Sequence, residues 1–302
     1  MTNIIGQKRK AGGTDRLSVL LAFFLPCGIR IPFTELLLPL CFCQFLPEPW
    51  RWQVIRTGLS RHIEKEAAAK IFGDERKARN ILYTLKKKGL LQSVRRNYYA
   101  TISLETKEAV ATPFEIASSI TEDSYISHHS AFEFYGLANQ VFSDIYVSTG
   151  REFREFEFGG RWYHCMKTKR DFGVSLQKTI RVTDMERTVL DNIKDFDKVG
   201  GLEELLRCLE MITVLDEGRL TTYLEKYHNQ FLAQKVGYLL SFYPQLKLSD
   251  GFFDYCKKNI GNSSRYLYRD LKEEKSIFSK EWNLCVPEDI MQLISEGGEP
   301  LV

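Results

Sequence analysis

The chain has 302 residues, of which 44% are hydrophobic and 27% charged, with a formal net charge of +3. This length is typical of two domains, and the composition is that of a globular protein rather than a disordered one. So small a net charge excludes nucleic-acid binding through overall charge alone. The seven cysteines are odd in number and include no CxxC pair, so neither a disulfide framework nor a zinc finger is predicted.

Residues 1–49 form an irregular apolar leader. A basic segment with Lys8, Arg9 and Lys10 precedes an apolar run over residues 17–29, an order that resembles a secretion signal. No Ala-x-Ala cleavage site follows, and five prolines interrupt the segment. No uncharged apolar run reaches the roughly 18 residues that a membrane helix needs. We therefore expect no membrane insertion, and our hypothesis is that this leader is not part of the native protein.

Residues 50–103 have the pattern of a winged helix-turn-helix. We expect a first helix within residues 51–59 and a second over residues 63–71, with Gly73 at its end because glycine readily adopts the left-handed conformation of a helix stop. Asp74 is predicted to cap a third helix, since a carboxylate accepts hydrogen bonds from the free N–H groups of the first turn.

The helix that follows Asp74 has a core face and a basic face. Its apolar residues recur at the spacing of one helical stripe, namely Ala78, Ile81, Leu82 and Leu85. The opposite side carries side chains that hydrogen-bond base edges or hold phosphate. Two strands are expected afterwards, over residues 90–94 and 98–102, with a basic turn between them. The side chains that we predict to contact DNA are Arg76, Lys77, Arg79, Asn80, Tyr83, Lys87, Arg95 and Arg96.

Positive charge is concentrated in this part of the chain. From Asp74 to Tyr98 there are eight Lys or Arg residues and two acidic residues, a local excess of six. A DNA-binding face needs such a concentration of charge. The pattern therefore predicts binding to duplex DNA. The alternative is a winged-helix scaffold that contacts protein and whose lysines are merely solvated.

Residues 104–250 are predicted to form a mixed domain, a small antiparallel sheet packed with helices, so that the chain as a whole is α+β. Residues 144–148 have a strand composition, and Gly159 and Gly160 are predicted to turn a hairpin. Thr183 and Glu186 are spaced as a capping box at the start of a helix. Residues 251–302 are treated as a C-terminal extension without an assigned role.

Three groups of residues in this second domain suggest chemical roles. His129 and Glu133 are four residues apart, as metal ligands on a helix can be, but no third ligand is visible and no metal site is predicted. Glu155 and Glu157 on one strand, with Lys167 beyond the hairpin, are the residues that a Mg²⁺-dependent nuclease would use. The basic residues of the sheet are either solubilising or a second surface for an acidic partner. These are Arg151, Arg154, Arg161, Lys167, Lys169, Arg170, Lys178 and Arg181.

Five segments occur in an order that is informative as a set: KKKGLLQSVRRNYYATI, SYISHHSAFEFYGL, VTDMERTVLDNI, GGLEELLRCL and AQKVGYLLSFY. They fall within roughly residues 52–245. This order resembles the AbiEi family, the antitoxins of AbiE-type abortive-infection systems, which are type IV toxin–antitoxin systems. The order of the segments carries the resemblance, since no one of them is diagnostic by itself.

The resemblance implies a winged helix that binds inverted repeats of duplex DNA in its own promoter and represses the operon. It implies a second domain that neutralises a nucleotidyltransferase-like toxin without a stable complex. It also implies a bacterial cytoplasmic protein that is not an enzyme and needs no cofactor. The positions that match the family's DNA-contacting helix and wing are Arg76, Lys77, Arg79, Asn80, Arg95 and Arg96. The alternatives are a plain winged-helix regulator with a ligand- or partner-sensing domain, and a Mg²⁺-dependent nuclease.

Overall fold

The computed structural model of the protein describes residues 61–296, with side chains to Ile294. This part of the chain is α+β, which confirms the predicted fold class at that level. No helix within it is long and apolar enough to cross a membrane. The leader of residues 1–49 and the helix expected within residues 51–59 lie outside the described residues.

The first structural unit covers the segment that was predicted to bind DNA. Its elements are β1 (His62–Glu64), α1 (Lys65–Phe72), α2 (Glu75–Lys87), β2 (Leu91–Arg95) and β3 (Tyr98–Thr101). The three strands form an antiparallel sheet in the order β1-β3-β2. The helix expected over residues 63–71 begins two residues later, because Ile63 pairs with Tyr99 of β3 as part of a strand. The predicted cap is confirmed, since the Asp74 carboxylate accepts from the Arg76 N–H at 2.8 Å.

The second unit is built on a six-stranded sheet in the order β6-β7-β5-β4-β9-β8. Its strands are β4 (Tyr125–Ile126), β5 (Asp144–Thr149), β6 (Phe156–Phe158), β7 (Arg161–Lys167), β8 (Val174–Gln177) and β9 (Ile180–Thr183). The hairpin predicted at Gly159 and Gly160 is confirmed between β6 and β7. The expectation of a small antiparallel sheet is wrong, because β5 pairs with β7 and β4 with β9 in parallel. Side-chain alternation reports which face of a strand is buried and carries no information on strand direction.

Helices and a small sheet complete the second unit. The helices are α3 (Pro113–Ser118), α4 (His129–Tyr135), α5 (Met185–Lys194), α6 (Leu202–Glu210), α7 (Glu217–Tyr227), α8 (Gln230–Leu240), α9 (Asp250–Lys258) and α10 (Ile290–Glu296). The strands are β10 (Arg265–Tyr266), β11 (Ser276–Ser279) and β12 (Leu284–Pro287), in the order β10-β12-β11. Residues 251–294 share one apolar cluster with α5–α8. Trp282 lies so close to Gly237 of α8 that an added Cβ would come within 2.0 Å of its ring.

The helix at residues 185–194 begins differently from the prediction. Thr183 is the last residue of β9, and its hydroxyl lies 2.7 Å from that of Thr188. Asp184 is the cap instead, since its carboxylate accepts from the Arg187 N–H at 2.9 Å. The Glu186 carboxylate accepts from the Asp216 N–H at 2.8 Å and does not complete a capping box. The predicted cap therefore lies one residue too early, because Thr183 is needed as a sheet residue.

The β2-β3 hairpin lies between two apolar cores. Leu91 packs in a cluster with the buried residues of α1 and α2. Val94, Tyr98 and Ala100 pack in a second cluster, which includes Ile116 of α3 and the inner face of the six-stranded sheet. Because residues of the hairpin pack in both cores, the hairpin ties α1 and α2 to the rest of the chain.

Candidate nucleic-acid interface

Packing determines which side of α2 faces solvent. Ala78, Leu82 and Leu85 are buried, with exposed fractions of 0 to 3%, and Ile81 is half-buried. They pack on α1 and on Leu91 of the hairpin. A stripe at this spacing covers one side of a helix, so the residues on the other side are directed to solvent. The predicted core stripe is confirmed.

The exposed side of α2 carries the predicted DNA-contacting residues. Tyr83 is 68% exposed, which is unusual for so large an aromatic side chain. Within residues 61–296, α2 makes one ion pair, between Glu75 and Lys65 at 3.5 Å. The exposed residues of the predicted set are Arg76, Lys77, Arg79, Asn80, Tyr83 and Lys87 on α2, and Arg96 at the hairpin turn. The cations of this set thus keep their charge available for a polyanion.

Arg95 does not face solvent as the sequence predicted. The strand register is irregular between Ser93 and Arg95, so that Ser93 pairs with Tyr99 and Arg95 with Tyr98. Because cross-strand partners share a face, Arg95 points with the buried Tyr98 toward the second core. Its guanidinium is half-buried and donates to the Ile120 carbonyl. The expectation that Arg95 is free to contact DNA is therefore corrected, whereas Arg96 is exposed.

A second arginine binds the same loop from the other side. The Arg181 guanidinium of β9 donates to the carbonyls of Ser118 and Thr121, at 3.2 and 3.1 Å, and also to that of Glu122. These carbonyls follow the end of α3, where a helix leaves acceptors without partners. The two guanidiniums together donate to the backbone carbonyls of that loop and connect the hairpin to the six-stranded sheet. No sequence pattern indicates this role, because a contact with a distant carbonyl leaves no local signature.

A groove of about 1040 Å³ separates α1 and the hairpin turn from the loop after α3. Lys70 and Arg96 line it beside the engaged Arg95 and Arg181. An ion pair between Arg61 and Glu115, at 2.7 Å, also joins the two units. The basic face of α2 is therefore carried on a unit that is bonded to the rest of the chain at several points.

Five of the eight basic residues named for the six-stranded sheet contact other groups, and three of these form ion pairs. Arg161 lies 2.8 Å from Glu133, Lys167 lies 3.0 Å from Glu152, and Arg151 lies 3.2 Å from Glu122. Arg170 lies over the Tyr227 ring and Arg181 on the loop carbonyls. Arg154, Lys169 and Lys178 are exposed. Five of these eight cations are thus engaged, and Arg154, Lys169 and Lys178 have no ion pair with a described residue.

The residues weighed for a nuclease are bound to other groups. The Glu155 carboxylate accepts from the Cys165 N–H at 3.1 Å and lies 3.2 Å from a His164 ring nitrogen. Although partial burial opposes ionisation, these bonds hold the pKa of Glu155 below its usual value. Glu157 is exposed on β6, and Lys167 is paired with Glu152. The structure does not bring Glu155, Glu157 and Lys167 together around one ligand position.

The His129 and Glu133 pair does not form a shared site, because Glu133 binds Arg161. His129 instead lies 3.0 Å from Glu204, and the Cys208 thiol lies 3.5 Å from the same carboxylate oxygen. Potential ligand atoms of His129, Glu204 and Cys208 all lie within 4.8 Å of one another. The Glu204 oxygen also accepts from the N–H groups of Asn139 and Gln140, both at 3.0 Å.

These buried residues do not suit a metal ion. Metals bind the thiolate form of cysteine, but burial and the neighbouring Glu204 raise the pKa of Cys208. The Glu204 carboxylate is already surrounded by main-chain donors. The arrangement is a buried polar network, which joins α4 to α6 through the SYISHHSAFEFYGL and GGLEELLRCL segments.

Comparison with known proteins gives a fold and no family. No protein family model matches the chain, and no curated protein matches it. The structure is similar to the crystal structure of the RV2827C protein from Mycobacterium tuberculosis, with a TM-score of 0.57. The match covers 84% of this chain and 96% of that chain at 14% sequence identity. At so low an identity, the two chains share a fold.

Two adjacent arginines allow a matched test of the contact between the hairpin and the loop. Arg95→Ala removes the donor to the Ile120 carbonyl, and we expect the free energy of unfolding to fall by about 1–3 kcal/mol. Arg96→Ala changes an exposed side chain and should alter it by less than about 0.5 kcal/mol. Urea unfolding of the two full-length variants measures both values. Equal stability of the two variants would contradict the proposed role of Arg95.

Proposed function

We propose that this protein is the antitoxin and transcriptional autorepressor of a type IV toxin–antitoxin operon, of the AbiEi kind. In this proposal the N-terminal unit is a winged helix-turn-helix that binds duplex DNA at inverted repeats in its own promoter. The second unit neutralises a nucleotidyltransferase-like toxin without a stable complex. The protein acts in the bacterial cytoplasm and is not itself an enzyme.

The observation that carries the DNA-binding half is the unpaired basic face of α2. Most other basic residues discussed above are engaged, whereas the cations of this face make no ion pair with a described residue. An exposed helix of this kind is suited to the major groove, where Arg and Asn hydrogen-bond guanine and adenine edges. Arg76 and Asn80 are one helical turn apart and are assigned to base edges. Lys77 and Lys87 are assigned to phosphates.

In a winged helix the hairpin after the recognition helix contacts the adjacent DNA backbone. The β2-β3 hairpin has this position in the chain, and its turn carries the exposed Arg96. We assign Arg96 to a phosphate contact. Arg95 is not included in the DNA-contacting set, because it donates to the Ile120 carbonyl. The remaining set is Arg76, Lys77, Arg79, Asn80, Tyr83, Lys87 and Arg96.

The antitoxin half rests on the resemblance to the AbiEi family in five ordered segments. The structure gives a physical account of residues in several of these segments. Arg187 and Asp191 of VTDMERTVLDNI form a buried ion pair at 2.8 Å, and His129 of SYISHHSAFEFYGL lies against Glu204. Because these residues are buried and paired with each other, they are not available to contact a toxin. We therefore expect the neutralising residues to lie on exposed surfaces outside these buried positions.

Base reading and phosphate contact by α2 are separable by mutation. Arg76→Ala or Asn80→Ala should weaken the free energy of binding to the specific DNA site by about 1–3 kcal/mol and relax the sequence preference of the protein. Lys87→Ala should weaken binding to all duplexes similarly and lower the slope of log K against log salt by about 0.9. The measurement is mobility shift with the protein's own upstream DNA at two salt concentrations.

Lys169→Ala is the control for this series, since it removes an exposed cation from the sheet rather than from α2. It should leave affinity and salt slope unchanged. If Arg76→Ala and Lys169→Ala lost affinity equally on specific and random duplexes, α2 would not be the reading helix.

The antitoxin half is tested by co-expression with the neighbouring gene. Full-length protein should restore growth to cells that express that gene. The Arg76→Ala/Asn80→Ala double variant should restore it equally when both are expressed from foreign promoters, because neutralisation is assigned to the second unit. Failure of the wild-type chain to protect would remove the antitoxin assignment and leave a winged-helix regulator. Loss of protection in the double variant alone would contradict the division of labour.

A further inference from the structure

A cationic cavity lies in the second unit, between α8 and residues 264–272. Its volume is about 510 Å³, within the range of small-molecule sites. Aromatic and basic side chains alternate around it. Those that matter here are Phe231, Lys235, Arg265, Tyr266, Arg269 and Lys272.

The cavity has positive charge without a carboxylate in its lining. Arg265 lies 5.2 Å from the Phe231 ring centre, and Lys272 lies 5.9 Å from that of Tyr266. Neither they nor Arg269 form an ion pair with any residue in the part of the chain that the structure describes. The nearby Glu274 is engaged, since its carboxylate accepts from the Tyr268 hydroxyl at 2.6 Å. The cavity is therefore equipped to hold an anion.

Lys235 lies at the buried side of this cavity, with 5% of its surface exposed. Its ammonium donates to the carbonyls of Ile193 and Lys194, both at 3.3 Å. It also lies 4.4 and 4.6 Å from the ring centres of Phe196 and Phe231. Within the described residues it makes no ion pair, although lysine is almost never fully buried unless paired.

Burial lowers the pKa of Lys235 to about 8, and Asp195 and Asp197 offset part of this effect. The ammonium is thus still mostly charged near neutral pH, at a cost in folding stability that an apolar residue would not have. A buried charge retained at such a cost, and placed in a cavity with other cations, is typical of a functional site.

We propose that this cavity binds a small phosphorylated ligand, with its phosphate groups held by Lys235, Arg265, Arg269 and Lys272. Guanidinium groups match phosphate oxygens in a bidentate geometry, and a lysine ammonium adds a point charge. The neighbouring tyrosine rings supply a flat apolar wall for the rest of the molecule. This site is separate from α2 and does not depend on the proposed DNA binding. Residues 264–272 lie outside the segments that resemble the AbiEi family, whereas Lys235 lies within AQKVGYLLSFY.

The test is calorimetric titration of the full-length protein with two probes, inorganic pyrophosphate and ATP. Saturable one-to-one binding is expected for both. Tighter binding of ATP would identify a nucleotide ligand, and equal affinities would identify recognition of the phosphates alone. Arg265→Gln/Arg269→Gln should weaken the binding of each probe at least tenfold. The control is Arg154→Gln/Lys169→Gln, which removes two exposed cations from the six-stranded sheet and should leave both affinities unchanged.

A third variant tests the buried ammonium. Lys235→Met keeps the aliphatic volume, so that the chain should still fold, while the affinity for pyrophosphate falls at least tenfold. Three results would overturn the proposal: no binding of either probe, equal weakening in the control variant, or wild-type affinity in Lys235→Met. Displacement of both probes by duplex DNA would also overturn it, because the probes would then occupy the DNA-binding face.

Discussion

The packing of the β2-β3 hairpin against two apolar cores is the constraint on which the rest of this structure depends. One face closes the small core under α1 and α2, and the other joins the core of the six-stranded sheet. The register irregularity beside Val94 turns Arg95 toward the second core, where it meets the Ile120 carbonyl. A hairpin used in this way cannot shift its register without exposing one of the two apolar sets. The orientation of α2 follows from it.

This arrangement explains how positive charge is divided in the chain. Several cations of the six-stranded sheet lie beside carboxylates or backbone carbonyls, as Arg161 and Arg181 do. Those on α2 have no such partners among the described residues, because the buried stripe of that helix turns them outward. For phosphate binding, whether a cation is paired matters more than the number of basic residues, since a paired cation must break its bond before it can bind phosphate. A net charge of +3 therefore coexists with one strongly basic face.

The sequence predicts local structure well and long-range structure poorly. The Asp74 cap, the α2 stripe and the turn at Gly159 depend on neighbouring residues, and each of them is confirmed. The direction of Arg95 depends on the register irregularity in β2, and the parallel strand pairs depend on crossover connections. Neither feature produces a periodic pattern in the sequence. Lys235 belongs to no site that the sequence predicts, because its burial depends on contacts with Phe196 and the end of α5, which are distant in the chain. The local sequence pattern thus indicates the candidate DNA-binding helix but not the cationic cavity.

The most direct test of the central claim is chemical acetylation of lysines in the full-length protein, with and without its upstream duplex. Mass spectrometry would report the modification of each lysine. The account predicts that DNA protects Lys77 and Lys87 on α2, while Lys169 and Lys178 on the sheet remain as reactive as in the free protein. Protection of the sheet lysines with α2 unprotected would contradict it, and so would equal protection of both sets.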